Sequence, residues 1–307
     1  MKHKKILVTG GAGFIGSHLV DELIKLGNDV TVIDDLSTGK LKNLNKKAKF
    51  IKLNLGSASA PKVLRPILKN VSYVFHLATI PRIQHCNEHP VECHSANVNG
   101  TLNLLSACVK NKQIKKFILA STCMVYGNPA HLTISEDAQN NPQTMYGAQK
   151  CMQEIYVNIF TKLYGLPSVV LRYFGVYGTK RHSETGSYPN VAAAFSRDKK
   201  TKNKIFIYGD GKQSRDMVHV FDIVRATIMA MNSEFYGGEV FNIGTGKPVT
   251  VNEIAKYYNC PIEHQDARPH DIRRCTADTK KTKKLLHWEP RISFDQGIRG
   301  YLEEQSL

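Results

Sequence analysis

No stretch of this 307-residue chain is apolar for long enough to cross a bilayer. The opening MKHKKILVTGG has a basic cluster and then only a four-residue run, ILVT, before glycine, so neither a signal peptide nor a membrane span is expected there. The seven cysteines (Cys86, Cys93, Cys108, Cys123, Cys151, Cys260, Cys275) form no CxxC pair and show no framework spacing. Reduced thiols in a cytoplasmic setting, with no metal site, are therefore expected. Acid is scarce: 26 Asp and Glu face 42 Lys and Arg, for a formal charge of +16. That balance would suit a polyanionic partner, but the lysines come in short runs (KNLNKKAK, KNKQIKK, RDKKTKNK, KKTKK) between periodic segments, as solvated turns do. No aromatic-basic interleaving offers a base-stacking platform, so no nucleic-acid partner is expected. Internal repeats and low-complexity linkers are lacking too.

What is present is 42% hydrophobic residues, ordinary for a chain that buries a full core. Short β-branched runs (ILVT, VTVID, FIKLN, YVFHL, FILAS, SVVLR) alternate with segments of helical period at residues 14–26, 91–111 and 145–164. This is the pattern of an α/β fold: a Rossmann-like, doubly wound parallel sheet with helices on both faces. After Arg172 the alternation loosens. A dinucleotide-binding domain is expected over 1–174 and 216–243, and a smaller C-terminal substrate-binding domain over 175–215 and 244–307.

Two motifs carry chemistry. VTGGAGFIGSHLVDEL sets Gly10, Gly13 and Gly16 between the first strand and the first helix, where glycine allows a tight turn and close approach to a pyrophosphate. Asp34 follows at the end of VTVID and suits the ribose hydroxyls of NAD while repelling the phosphate of NADP. In YGAQK, Tyr146 and Lys150 share a helix face at i, i+4. A phenol titrates near ~10, and a neighbouring ammonium favours the phenolate. Alone the pair would fit a solvated surface; here it follows a strand ending in Ser121 and Thr122, at the sheet edge where ligands bind.

Taken with VFHLA, NVNGTLNLL, STCMVYG, LRYFGVYG, IYGDGKQSRDMVHV, FNIGTG, ARPHDIRR and KKLLHWEPRISFDQGI, these motifs make the chain resemble the extended short-chain dehydrogenase/reductases that act on nucleotide sugars. The resemblance runs nearly end to end and is strongest to the UDP-glucose and UDP-N-acetylglucosamine 4-epimerases. It implies NAD bound at Gly10, Gly13, Phe14, Ile15, Gly16, Asp34, Asn54, Leu55, Leu77 and Ala78, with Tyr146 and Lys150 at the nicotinamide. It implies Thr122, Tyr146 and Lys150 as the catalytic set. A UDP-sugar would be met by Asn97, Thr122, Tyr146, Gly175, Arg215, Arg268, Asp271 and Cys275: the arginines on the phosphates, Asp271 near the nucleoside, Cys275 beside the sugar's carbon 2 substituent. A homodimer through the helices at 91–111 and 145–164 is also implied.

The chain departs from the family pattern at Asn54 (usually Asp), Thr79 (usually Ala) and Gly175 (usually Asn). Cys123 and Met124 stand where the family's dehydratases carry an Asp-Glu pair and its decarboxylases keep a glutamate. Methionine has no titratable proton, and an unperturbed thiol near ~8.5 is a poor acid for expelling hydroxide. The expected reaction is therefore NAD-dependent epimerisation at carbon 4 of UDP-glucose/galactose and UDP-N-acetylglucosamine/galactosamine through a transient 4-keto sugar. The alternatives are a 4-keto-6-deoxy-sugar 3/5-epimerase or 4-reductase, a 4,6-dehydratase, or a non-catalytic NAD-sensing module. Cys123, one residue along a strand from the position where a cysteine would act, is expected to be a packed small side chain.

Overall fold

In a computed structural model describing residues 3–129, 133–181, 191–267 and 273–307, the run KILVT is a strand buried at its last four positions. This is β1 (Lys5–Thr9), followed by α1 (Phe14–Lys25), β2 (Asp29–Asp34), β3 (Lys49–Lys52), α2 (Ala60–Leu68), β4 (Tyr73–His76), α3 (Ile83–Glu88), α4 (Pro90–His94), α5 (Gly100–Cys108), β5 (Lys116–Thr122), α6 (Met145–Tyr164) and β6 (Ser168–Tyr173). The rest of the described chain adds β7 (Gly175–Tyr177), α7 (Val191–Lys202), β8 (Ile205–Tyr208), β9 (Ser214–His219), α8 (Val220–Asn232), β10 (Gly237–Ile243), β11 (Pro248–Thr250), α9 (Val251–Lys256), β12 (Ile262–Gln265), α10 (Lys280–Leu286) and α11 (Phe294–Glu304).

Seven strands form one sheet in the order β10-β6-β5-β4-β1-β2-β3, every neighbouring pair parallel. Because successive side chains alternate across a strand, Ile6 and Val8 enter one core layer with residues of α1 and α8, while Leu7 enters the other with residues of α2, α5 and α6. The winding reverses between β1 and β4, the place in such sheets where a crevice opens at the carboxyl ends of the strands. A three-stranded sheet, β11-β9-β7, and the pair β12-β8 build the smaller region around its own core, which includes Phe195, Ile205, Tyr258 and Tyr301.

The structure refines three expectations. The segment at 91–111 is α4, a π-helical turn at Ser95–Asn99 and then α5, because the chain slips register around Asn97. The return to the large sheet begins at Val220, since Asp216–His219 belong to β9 and pair with β7 and β11. The expectation of reduced thiols fails for Cys86 and Cys93, which form a disulfide. The break between α3 and α4 at His89 and Pro90 folds the two helices so that the cysteine Cα atoms lie 5.4 Å apart, a closeness their spacing of seven did not reveal. No helix among the described residues is long and apolar enough to cross a membrane.

Helix α6 positions the catalytic candidates. Thr144 caps it by accepting from the Gly147 N–H at 3.1 Å, and Gly165 ends it in the left-handed region at φ +65°. Along its inner face Tyr146, Lys150 and Glu154 recur every four residues, all buried.

Candidate active site

A cavity of about 330 Å³ opens over the carboxyl ends of β1, β2, β4 and β5. Gly10, Gly13, Phe14, Ile15, Gly16, Asp34, Asn54, Leu55, Leu77, Ala78 and Tyr146, all expected at the cofactor, line it. The glycine loop is built for close approach: Gly10 sits at φ +72°, and a Cβ there would stand 2.7 Å from the Ala78 nitrogen. A Cβ on Gly16 would collide with the Gly10 carbonyl oxygen. Asp34 accepts from the Ala12 and Leu36 N–H groups at 2.9 Å each. Burial pushes its carboxyl above the usual range, and these two backbone donors pull it back.

Next to Ser121, which lines the cavity, Thr122 closes β5 and caps the 3-10 turn Cys123–Tyr126, its hydroxyl accepting from the Met124 N–H at 3.3 Å. The same hydroxyl bonds Tyr146, which favours the phenolate, while burial and the nearby Cys123 thiol push the phenol well above its ordinary value. Lys150 is 2% exposed and donates to the Ala120 carbonyl at 2.9 Å, with its ammonium 5.9 Å from the centre of the Tyr146 ring. Burial brings this lysine down to about 7, against an upward pull from Glu154. Left to the protein alone, then, Tyr146 holds its proton.

Asn97 does not line the cavity. It is fully buried, its oxygen accepting from the Ile80 N–H at 2.7 Å and the Thr79 hydroxyl at 3.0 Å, and its amide donating to Gln149 at 2.8 Å. It holds the Thr79–Ile80 stretch, which does line the cavity, and so gives the departure at Thr79 a partner. Gly175 is the register partner of Met217, and a Cβ there would lie 2.9 Å from the Asp216 carbonyl oxygen. An asparagine could enter only if β7 and β9 moved apart. Arg215 donates to the Ser214 carbonyl at 2.9 Å and opposes only in part the hydrogen bond with Cys123 and the burial that push the Cys275 thiol well above its ordinary value. Arg268 and Asp271 lie outside the described residues.

Cys275 is 4% exposed and packs with Val125, Tyr126 and Phe174, its free thiol hydrogen-bonded to that of Cys123. Cys123 does pack against this cluster, but it heads a 3-10 turn rather than continuing a strand, so strand alternation does not set its direction. The sequence reading missed Asp35, Ser37 and Arg181 on the cavity wall, and Glu154 beneath Lys150. The first two follow Asp34 directly in DDLSTG; Arg181, which pairs with Asp21 of α1 at 2.6 Å, had no local signal.

The profile of the NAD dependent epimerase/dehydratase family matches residues 6–244. The chain belongs to that family. It is 36% identical over 301 residues, 96% of each chain, to a putative UDP-glucose 4-epimerase of Methanocaldococcus jannaschii. It is also 33% identical over 317 residues to a UDP-N-acetyl-alpha-D-glucosaminuronate decarboxylase of Bacillus cytotoxicus, covering 98% of this chain and 97% of that one. Among solved structures it is similar to the UDP-glucose 4-epimerase of Thermotoga maritima with UDP-glucose (37% identity, TM-score 0.92, 98% of each chain). A UDP-N-acetylglucosamine 4-epimerase of Methanobrevibacter ruminantium in complex with UDP-N-acetylmuramic acid superposes equally well (36% identity, TM-score 0.92, 99% of this chain and 98% of that one).

The protein is thus an enzyme of the NAD-dependent epimerase/dehydratase family with NAD as its cofactor. Its cavity fits that group, with a side-chain-free cradle at Gly10 and Gly16 for the pyrophosphate and a buried carboxylate at Asp34 for ribose hydroxyls. Replacing Asp34 by Ser removes that charged acceptor, and NAD affinity measured by titration calorimetry should fall by at least about 10-fold. Unchanged affinity would show that Asp34 serves only to bind the Ala12 and Leu36 backbone.

Proposed function

We propose that this enzyme epimerises a UDP-sugar at carbon 4. The observation that carries the reading is the assembly of Thr122, Tyr146 and Lys150 around one buried corner, with Cys123 and Met124 rather than carboxylates beside them. This set can move a hydroxyl proton in step with oxidation at carbon, but it has no acid-base pair for expelling water across carbons 5 and 6. Met124 likewise speaks against the decarboxylase reaction named for the Bacillus relative.

In this reading Tyr146 takes the proton of the 4-hydroxyl, Thr122 donates a hydrogen bond to the phenolate, and the Lys150 ammonium steadies it. NAD held by the Gly10–Gly16 loop and Asp34 would supply a reversible hydride acceptor for carbon 4. The chain's part is to hold the nucleotide half firmly, at Arg215 with Arg268 and Asp271, and the sugar half loosely enough to turn over. A second reading, a ketosugar 3/5-epimerase and 4-reductase, draws support from the closeness of the Cys123 thiol to Tyr146.

We further propose a homodimer through α6. Met152, Ile155, Ile159 and Leu163 form an exposed apolar stripe on a helix about 30 Å long, whose only exposed charge is Lys162. Val91, 82% exposed, lies on α4, which packs against α6. A face so poor in charge suits an identical face related by a two-fold axis.

Three outcomes test these proposals. Proton NMR of the purified protein, with only the NAD that co-purifies, should show UDP-N-acetylglucosamine and UDP-glucose converting to their galacto isomers. Failure on both, with NADH or NADPH consumed when a 4-keto-6-deoxy sugar is supplied, would favour the second reading. Cys275→Tyr should cut turnover of the N-acetylated sugar by at least about 10-fold more than that of UDP-glucose, because a bulky ring fills the space for the carbon 2 substituent. Equal effects would refute the assignment of Cys275 to that position. Ile159→Asp should convert the dimer to monomer by light scattering, and a monomeric wild type would sink the interface.

A further inference from the structure

Below Lys150 lies a charged pair that the reaction just described does not use. Arg172 of β6 grips Glu154, its Nε 3.0 Å from one carboxylate oxygen and its Nη2 2.6 Å from the other. Ser121, on the cavity wall, donates to the same carboxylate at 2.5 Å. The two side chains are 8% and 6% exposed. An ion pair so buried is weak evidence for stability, since apolar residues of similar size often serve as well or better. Its place in the fold gives it another meaning: Glu154 stands one helical turn beyond Lys150 on the same face of α6, as Lys150 stands one turn beyond Tyr146.

Lys150 has little else to keep it charged. Among the described residues its ammonium donates one hydrogen bond, to the Ala120 carbonyl. From β4, His76 faces it as a neutral ring: burial and Lys150 itself push that histidine down to about 3. The Thr101 hydroxyl already donates to the Asn97 carbonyl and so accepts from His76 Nε2, leaving Nδ1 to accept from Thr9. From the turn after β5 comes the Cys123 thiol beside Tyr146, and β6 carries Arg172, with Tyr126 stacked on its guanidinium at 4.7 Å, and Tyr173, which lines the cavity with Tyr146. Among the described residues, Glu154 is thus the one anionic side chain beside the lysine.

We propose that Glu154 is a positioning residue that sets the proton occupancy of Lys150, with Arg172 as the counterweight that limits how strongly it does so. The carboxylate holds the ammonium form in a site that excludes water; the guanidinium orients the carboxylate through two bonds and offsets part of its field. Tyr146 then meets a charged lysine. The proposal extends the reading of Lys150 as part of the reacting corner, and its test does not require turnover.

The experiment is an NMR titration of the holoenzyme labelled with 15Nζ-lysine, with the Lys150 signal assigned by its loss in Lys150→Met. In Glu154→Gln, which keeps an acceptor for Ser121 but leaves Arg172 uncompensated, Lys150 should titrate about one pH unit lower. In Arg172→Gln, which leaves the carboxylate unopposed, it should titrate higher. If a UDP-sugar is turned over, the alkaline edge of kcat should move in the same two directions. A purely structural pair would instead give loss of stability in both variants and no opposed shifts. Should Arg172→Gln not fold, the double variant E154Q/R172Q removes both charges, and its Lys150 should titrate above that of E154Q. A Lys150 titration unmoved in E154Q, shifts of the same sign in both single variants, or a double variant coincident with E154Q would overturn the proposal.

Discussion

The hydrogen bond from the Lys150 ammonium to the Ala120 carbonyl joins α6 to β5 at the point where sheet and cavity meet. It ties a charge that resists burial to a backbone group that needs a partner, and it does so at 2% exposure. Around it the fold supplies neutral or paired neighbours: His76 is held as a neutral ring, Glu154 is bound to Arg172, and Tyr146 is bonded to Thr122. Desolvation weakens the ammonium while the carboxylate supports it, and the balance brings the lysine's pKa down to about 7.

The polar layer behind this corner is organised by hydrogen bonds rather than by charge, and in it Gln153 Oε1 is buried without a partner among the described residues. Thr9, His76, Thr101, Gln153 and Asn97 form a buried run of hydrogen bonds from β1 through β4 to the π-helical turn. Asn97 passes that rigidity on to Thr79 and Ile80, which face the cavity. Such networks cost stability when partly broken and confer a single geometry when complete. The π-helical turn is the local adjustment that lets Asn97 face this network while α4 and α5 continue on either side.

Much of this was legible because local rules govern it. The glycine loop needs no partner to be read: a strand, a positive φ and a helix start follow from the residues themselves, as do Asp34 at the end of β2 and the α6 spacing of Tyr146 and Lys150. What stayed hidden depends on contacts between distant segments. Cys86 and Cys93 meet because α3 and α4 fold back on each other. Cys275 reaches Cys123 from 152 positions away, and Gly175 is required by the close approach of β9 rather than by its own backbone angles. Glu154 was visible as a letter on the right helix face, but only Arg172 and Ser121, brought in by β6 and β5, give it a role.

The central claim is that this corner oxidises and re-reduces one carbon without exchanging hydrogen with water. It is tested most directly by supplying a UDP-sugar carrying deuterium at carbon 4 in ordinary water and following both isomers by NMR. The account predicts that deuterium remains on carbon 4 of substrate and product alike, with none lost to solvent and no exchange at carbons 3 and 5. Washout from carbon 4, or exchange at carbon 3 or 5, would contradict it and place a proton-transfer group, with Cys123 the nearest, in the reaction.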